Sequence, residues 1–280
     1  AFEKAWKAAC NSSSKEEVVV PSGNTFLVNP TTFPGPCRSA ISVKIEGRIV
    51  APSQISAWKK RDTSMWLTFA NISSLTIYGS GIIDGQGLLW WNNSCKINKT
   101  NPCSRAPTAM HIGNCTDVGI RQLQFVNSQQ IHVGIFYSSN VQLTGLQIKA
   151  PEDSPNTDGI HLDYVNNAKI HNCDIQTGDD CISITGVTSN VDIQNIKCGP
   201  GHGISIGSLG EHGEISQVEK INVQEVVFNG SQNGARIKTW QGGLGYAQQI
   251  MFANMIVNNV SNPIIIDQYY CDISTPCQPQ

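Results

Sequence analysis

The apolar residues of this chain recur in short runs, not in helical stripes. Runs of four to six residues alternate apolar with polar positions, which is the period of a strand with one buried face. One set reads SSLTIYGSG around Leu75, TDVGIRQLQF around Val118 and SNVQLTGLQI around Val141, then NNAKIHNCDI, SNVDIQNIKC, EKINVQEVVF and QQIMFANMIV around Ile170, Ile193, Val223 and Phe252. A second set is interleaved with it: IHVGIF near Val133, GIHLD at Ile160, CISI at Ile182, GISIG at Ile204, ARIK at Ile237 and PIII at Ile265. Ile160, Ile182 and Ile204 stand 22 residues apart, and later steps are lengthened by insertions. A return of this length marks a repeat architecture. Short strands separated by Asn, Gly and Ser corners predict an all-β fold, a parallel β-helix with about three strands per coil and coils stacked about 4.8 Å apart. A leucine-rich repeat would need a Leu-dominated pattern, and a β-sandwich would need regular hairpin turns. Only AFEKAWKAAC reads as helix, with Phe2, Ala5, Trp6 and Ala9 on one stripe. Such a helix would cap the open end of the coil stack and cover its strand edges.

Composition agrees with the pattern. The 280 residues hold 32 Ile and 19 Val against 11 Leu, with 24 Asn beside 25 Gly. β-branched residues suit strands, and Asn and Gly suit turns. Lys and Arg number 19 and Asp and Glu 21, for a net charge of -2. That balance lacks the basic excess of a nucleic-acid binder, and no apolar run approaches the roughly 20 residues that span a bilayer. Ten cysteines without a C-x-x-C pair point to an oxidising compartment. Their spacing suits local bridges: Cys10 with Cys37, Cys95 with Cys103, Cys181 with Cys198, and Cys271 with Cys277, leaving Cys115 and Cys173 as buried thiols. Sequence alone does not settle connectivity. Seven N-x-S/T sequons, at Asn11, Asn71, Asn92, Asn98, Asn114, Asn229 and Asn259, favour a secreted glycoprotein.

The repeat also locates candidate chemistry, because residues one coil apart stack. SPNTDGIH (154–161), TGDDCISI (177–184) and GPGHGISIGS (199–208) follow one another on consecutive coils. Asp180 is 22 residues beyond Asp158, and His202 is 22 beyond Asp180, with Asp179 beside them. A coil later, Arg236 and Lys238 share one side of their strand. Three carboxyls, an imidazole and two cations should therefore cluster on one lateral face. Crowded carboxylates raise at least one pKa and supply an acid and a base, the minimum for cleaving a glycosidic bond. The two cations suit an anionic substrate. Each residue also has a plainer reading: Asp and Asn bonding corner backbone, a turn histidine, a neutralising strand face, or Ca²⁺ ligands. Their arrival in register favours a site. His161 alternates away from the patch or supports it. His111, His132, His171 and His212 have no acidic or cysteine partner at ligand spacing and read as structural.

The ordered motifs NTDG (156–159), GDD (178–180), GHG (201–203) and RIK (236–238) resemble the signature of the polygalacturonases, glycoside hydrolases of family 28, and the flanking residues resemble the plant branch. The resemblance runs from AWKAAC to PIIIDQYYCD. It implies a right-handed parallel β-helix and inverting hydrolysis of α-1,4-linked galacturonan. Asp179 would then be the general acid, Asp158 and Asp180 would activate water, and His202 would tune the acid's protonation. Arg236, Lys238, Asn156 and Tyr270 would contact substrate, with Tyr269 competing for the last place. Asp179 and Asp180 can share the site only if the chain bends beside Gly178. Residues 1–280 are expected to form one β-helix domain, shorter at both ends than is usual for the family. The expected protein is a secreted, cell-wall monomer acting on polygalacturonate, with no cofactor, metal, nucleic-acid or membrane partner. The rivals are a Ca²⁺-dependent pectate lyase-like enzyme and an inactive pectin-binding β-helix.

Overall fold

The computed structural model describes residues 1–58 and 64–271. The strands form a right-handed parallel β-helix, the hand expected of parallel crossovers. Three ladders run its length, and each stacks one apolar residue per coil. Val18, Val43, Ile77, Ile120, Leu143, Ile170, Ile193, Val223 and Phe252 form one column. Met110, Val133, Ile160, Ile182, Ile204 and Ala235 lie in register in the second. Ile83, Phe125, Ile148, Ile175, Cys198 and Phe228 form the third. All but Phe252 are buried, so the three columns meet in one continuous core. Each fully buried Ile or Val contributes about 1.5–3 kcal/mol from water exclusion, which is why β-branched residues fill this chain.

The corners explain the Asn content. Ser74, Asp117, Asn140, Asn167 and Asn190 occupy one corner on successive coils, all with φ between 53° and 61°. Asn tolerates this left-handed conformation better than other non-glycine residues. The amides also form a ladder: Asn167 Nδ2 donates to Asn140 Oδ1 at 2.8 Å, and Asn140 Nδ2 donates to Asp117 Oδ1 at 3.0 Å. Ladder pairing continues through these corners, so strands such as Ile160–Gln176 run longer than the four to six residues expected.

The N-terminal helix, Phe2–Cys10, lies on the open end of the stack. Trp6 is buried and packs edge-on against Phe33 and Phe69. Cys10–Cys37 ties the helix to the first coil. Ala5, expected on the apolar stripe, is exposed, and Cys10 is buried in its stead. The helix is not the only one. Leu88–Asn92 forms a short second helix that buries Trp90 and Trp91, and single 3₁₀ turns occur at Ile55–Trp58 and Glu211–Gly213. The insertion carrying the second helix is closed by Cys95–Cys103, and Cys181–Cys198 spans a single coil. Cys115 and Cys173 are free and buried. The expected Cys271–Cys277 pair involves Cys277, which lies outside the described residues. No helix among the described residues is long and apolar enough to cross a membrane.

Candidate active site

The cleft is built where corners lead into the second ladder. Backbone bonds lock these corners together: the Gly159 amide donates to Asp180 O, the Cys181 amide to Gly203 O, and the His202 amide to Asp179 O, all at 2.8–2.9 Å. The chain does bend at Gly178–Asp179. The bend needs glycine for space: a Cβ on Gly178 would stand 2.2 Å from the Ser154 carbonyl oxygen. The Cys181–Cys198 bond anchors the residue next to Asp180. Asp179 and Asp180 consequently share one cleft despite being adjacent. Its volume is about 1090 Å³, and Asp158, Asp179, Asp180, His202, Arg236, Lys238, Asn156 and Tyr270 all line it.

Each carboxyl has its own partners. Asp180 is 1% exposed and accepts from Ser205 Oγ at 2.6 Å and Lys238 Nζ at 3.0 Å, with Arg236 Nη1 at 3.8 Å. Asp179 Oδ1 contacts His202 Nδ1 at 3.0 Å and accepts the Asp180 amide at 2.8 Å. Asn156, placed by the sequence against substrate, turns its Nδ2 toward Asp179 Oδ2 at 3.4 Å. Asp158 Oδ2 accepts from Ser183 Oγ at 2.7 Å. Tyr270 lies under both cations, its ring centre 5.6 Å from Arg236 Cζ and 5.2 Å from Lys238 Nζ, whereas Tyr269 is exposed. Of the two tyrosines, Tyr270 is the one that lines the cleft.

Charge crowding splits the carboxyls electrostatically. Desolvation, with Asp179 and Asp180 nearby, drives Asp158 well above the usual carboxyl range. Desolvation also pushes Asp179 upward, but the His202 hydrogen bond and charge and the Lys238 charge outweigh it and hold Asp179 low. The same bond to Asp179 raises His202 against its desolvation. Across this 3.0 Å contact each group favours the charged form of the other, the carboxylate the imidazolium and the imidazolium the carboxylate. Lys238 loses hydration, yet the Asp180 charge holds its pKa up.

Several contributors escaped the sequence reading. Ser183 and Ser205, paired in register on adjacent coils within CISI and GISI, supply the hydroxyls that reach Asp158 and Asp180. Their repeated offset after Asp180 and His202 was the available signal. His161 supports the patch: its Nδ1 meets Ser183 Oγ at 2.7 Å, and burial lowers its pKa to about 4. His132 is buried beneath the site, with Nδ1 2.9 Å from the Asp158 carbonyl oxygen, and its pKa is also lowered to about 4. His171 does have an acidic partner, Asp192 at 2.8 Å one coil on, which a search for local ligand spacing passes over. Lys96 and Arg105 enter the cleft from the disulfide-closed insertion.

A cation could find ligand atoms on Asp179, Asp180 and His202, which lie within 4.8 Å of one another. The Lys238 ammonium and Arg236 guanidinium already compensate this charge from short range, so a divalent ion would meet two fixed positive charges.

Fold and site together define a parallel β-helix whose cleft gathers three carboxyls, an imidazole and two cations. The sequence model described as glycosyl hydrolases family 28 matches residues 10–280, and the chain belongs to that family. It is 47% identical over its whole length to Polygalacturonase-2 of Solanum lycopersicum and 48% to a polygalacturonase of Malus domestica, covering 61% of each relative. The chain thus spans about three-fifths of the length of these curated relatives. Among solved structures it superposes on the polygalacturonase from Erwinia carotovora with a TM-score of 0.81 at 25% identity, covering 96% of this chain and 77% of that one.

Proposed function

We propose that this protein hydrolyses α-1,4 bonds of de-esterified homogalacturonan with inversion, as a secreted enzyme of the plant cell wall. The observation that carries this reading is the gathering of three carboxyls with different partners in one cleft. Asp179 passes the proton held by His202 to the departing glycosidic oxygen as the bond breaks. Asp180, its charge compensated by Lys238 and Arg236, takes a proton from the attacking water. Asp158 orients that water from the Ser183 side. The C1–oxygen bond breaks, the water oxygen bonds to C1, and the anomeric configuration inverts. Asp180 then releases the water's proton to solvent, and the Asp179–His202 pair regains one from solvent.

Arg236, Lys238 and Tyr270 form the subsite for a galacturonate carboxylate, the guanidinium as a fork and the ammonium as a point charge. The three disulfides among the described residues and the seven sequons support an extracellular location. The test is to follow new reducing ends and ultraviolet-absorbing unsaturated ends on polygalacturonate, with and without EDTA. EDTA-resistant reducing ends without ultraviolet signal are expected, and Asp179→Asn should lose about 10²–10⁴-fold in kcat. Unsaturated products, or full activity in Asp179→Asn, would sink the assignment.

A further inference from the structure

The corner that follows the cleft-facing strands carries a second column of residues. Asn71, Asn114, Tyr137 and Tyr164 occupy it on successive coils, with φ of 59°, 52°, 48° and 55°. Sharing one backbone conformation and adjacent rungs, their side chains leave the corner in parallel. A left-handed φ disfavours bulky residues, yet two successive rungs hold tyrosine. The two rings stack with centres 4.7 Å apart and planes at 17°. Tyr137 is 59% exposed, so this stack has little cover of its own.

One rung before Tyr137 stands Asn114, exposed and opening the sequon Asn114-Cys115-Thr116. Asn114 and Tyr137 line the same shallow cavity of about 520 Å³, rimmed by Thr116, Asn166 and Ser189. A pyranose presents one face of C–H groups, which packs on an aromatic ring, and an edge of hydroxyls, which suits polar rim groups. We propose that Asn114 carries an N-linked glycan whose first sugar lies on Tyr137, so that the tyrosine stack is a landing for the protein's own carbohydrate. This rests on the reading above that the protein is exported.

The test secretes the chain, behind an export signal, from plant cells and maps its glycopeptides by mass spectrometry. Asn114 should be occupied. A four-protein cycle then combines Thr116→Ala, which destroys the sequon but keeps Asn at the left-handed position, with Tyr137→Ala. Removing the sequon should lower Tm by about 2–4 °C when Tyr137 is present and by less than half as much when it is absent. Thr116→Ser, which preserves the sequon, should leave Tm unchanged. Enzymatic release of the Asn114 glycan from the native protein should be faster in Tyr137→Ala, while Tyr137→Phe behaves as wild type. An unoccupied Asn114, or equal Tm losses with and without Tyr137, overturns the proposal. So does Tyr137-dependent stabilisation by added oligogalacturonide with Asn114 bare, which would make the stack a landing for free substrate. Reducing-end assays on the same preparations score the hydrolase reading separately.

Discussion

Lys238→Met offers a quantitative test of the site's electrostatics. Lys238 and Asp180 are 7% and 1% exposed, and their charged atoms meet at 3.0 Å. Removing one partner of a buried pair typically costs about 3–5 kcal/mol, because the other charge is left without compensation. Asp180 would still hold the Ser205 hydrogen bond at 2.6 Å and feel Arg236 at 3.8 Å. These contacts move the expected cost below that range, to about 2–3 kcal/mol. Asp180→Asn should cost a similar amount, since it leaves the ammonium only the Tyr270 ring and its longer-range attraction to Asp179 and Asp158. The double variant removes both charges of the pair and should cost about 1 kcal/mol, leaving a coupling of about 3–5 kcal/mol. Urea denaturation of the four proteins at pH 7 measures this cycle, and reducing-end assays should find all three variants at least about 100-fold impaired. Single costs that simply add, within about 0.5 kcal/mol, would refute the buried ion pair as the organiser of this cleft.

Other outcomes follow from neighbouring contacts. Ser183→Ala removes the hydroxyl that donates to Asp158. It should lower kcat about 10–100-fold with little change in KM, read by steady-state kinetics on polygalacturonate. His202 has a folded pKa above its ordinary 6.5, so the proton it holds beside Asp179 persists past pH 6.5 and is lost as pH rises through the elevated value. His202→Ala should therefore move the alkaline limb of the kcat profile toward lower pH; an unmoved limb would refute the proton held by His202. Asn167→Ala places a poor left-handed residue at a corner with positive φ and breaks the amide ladder. It should cost about 1–2 kcal/mol in urea denaturation, whereas Asn167→Gly should cost less.

The repeat was legible because a β-helix writes its geometry directly into spacing. Ile160, Ile182 and Ile204 stack as their regular interval requires, and the motif residues stack with them. Two kinds of feature were not legible. Ser183, Ser205 and His132 act through hydrogen bonds to residues on other coils; the shared offset of the two serines after Asp180 and His202 marks them but names no partner, and a buried His announces none. The short helix Leu88–Asn92 sits in an insertion, where no repeat constrains the chain.

Composition and period by themselves determined the architecture, the helix at the first coil and the membership of the site: three carboxyls, one imidazole and two cations on one face. They did so because stacking maps sequence distance onto a fixed rise of about 4.8 Å. Only the tertiary structure decided what each of those groups touches. Burial, with the neighbouring carboxyls, raises Asp158, the His202 contact holds Asp179 low, and Lys238 compensates Asp180. Those outcomes depend on burial and on contacts of about 3 Å, which spacing along a chain does not contain.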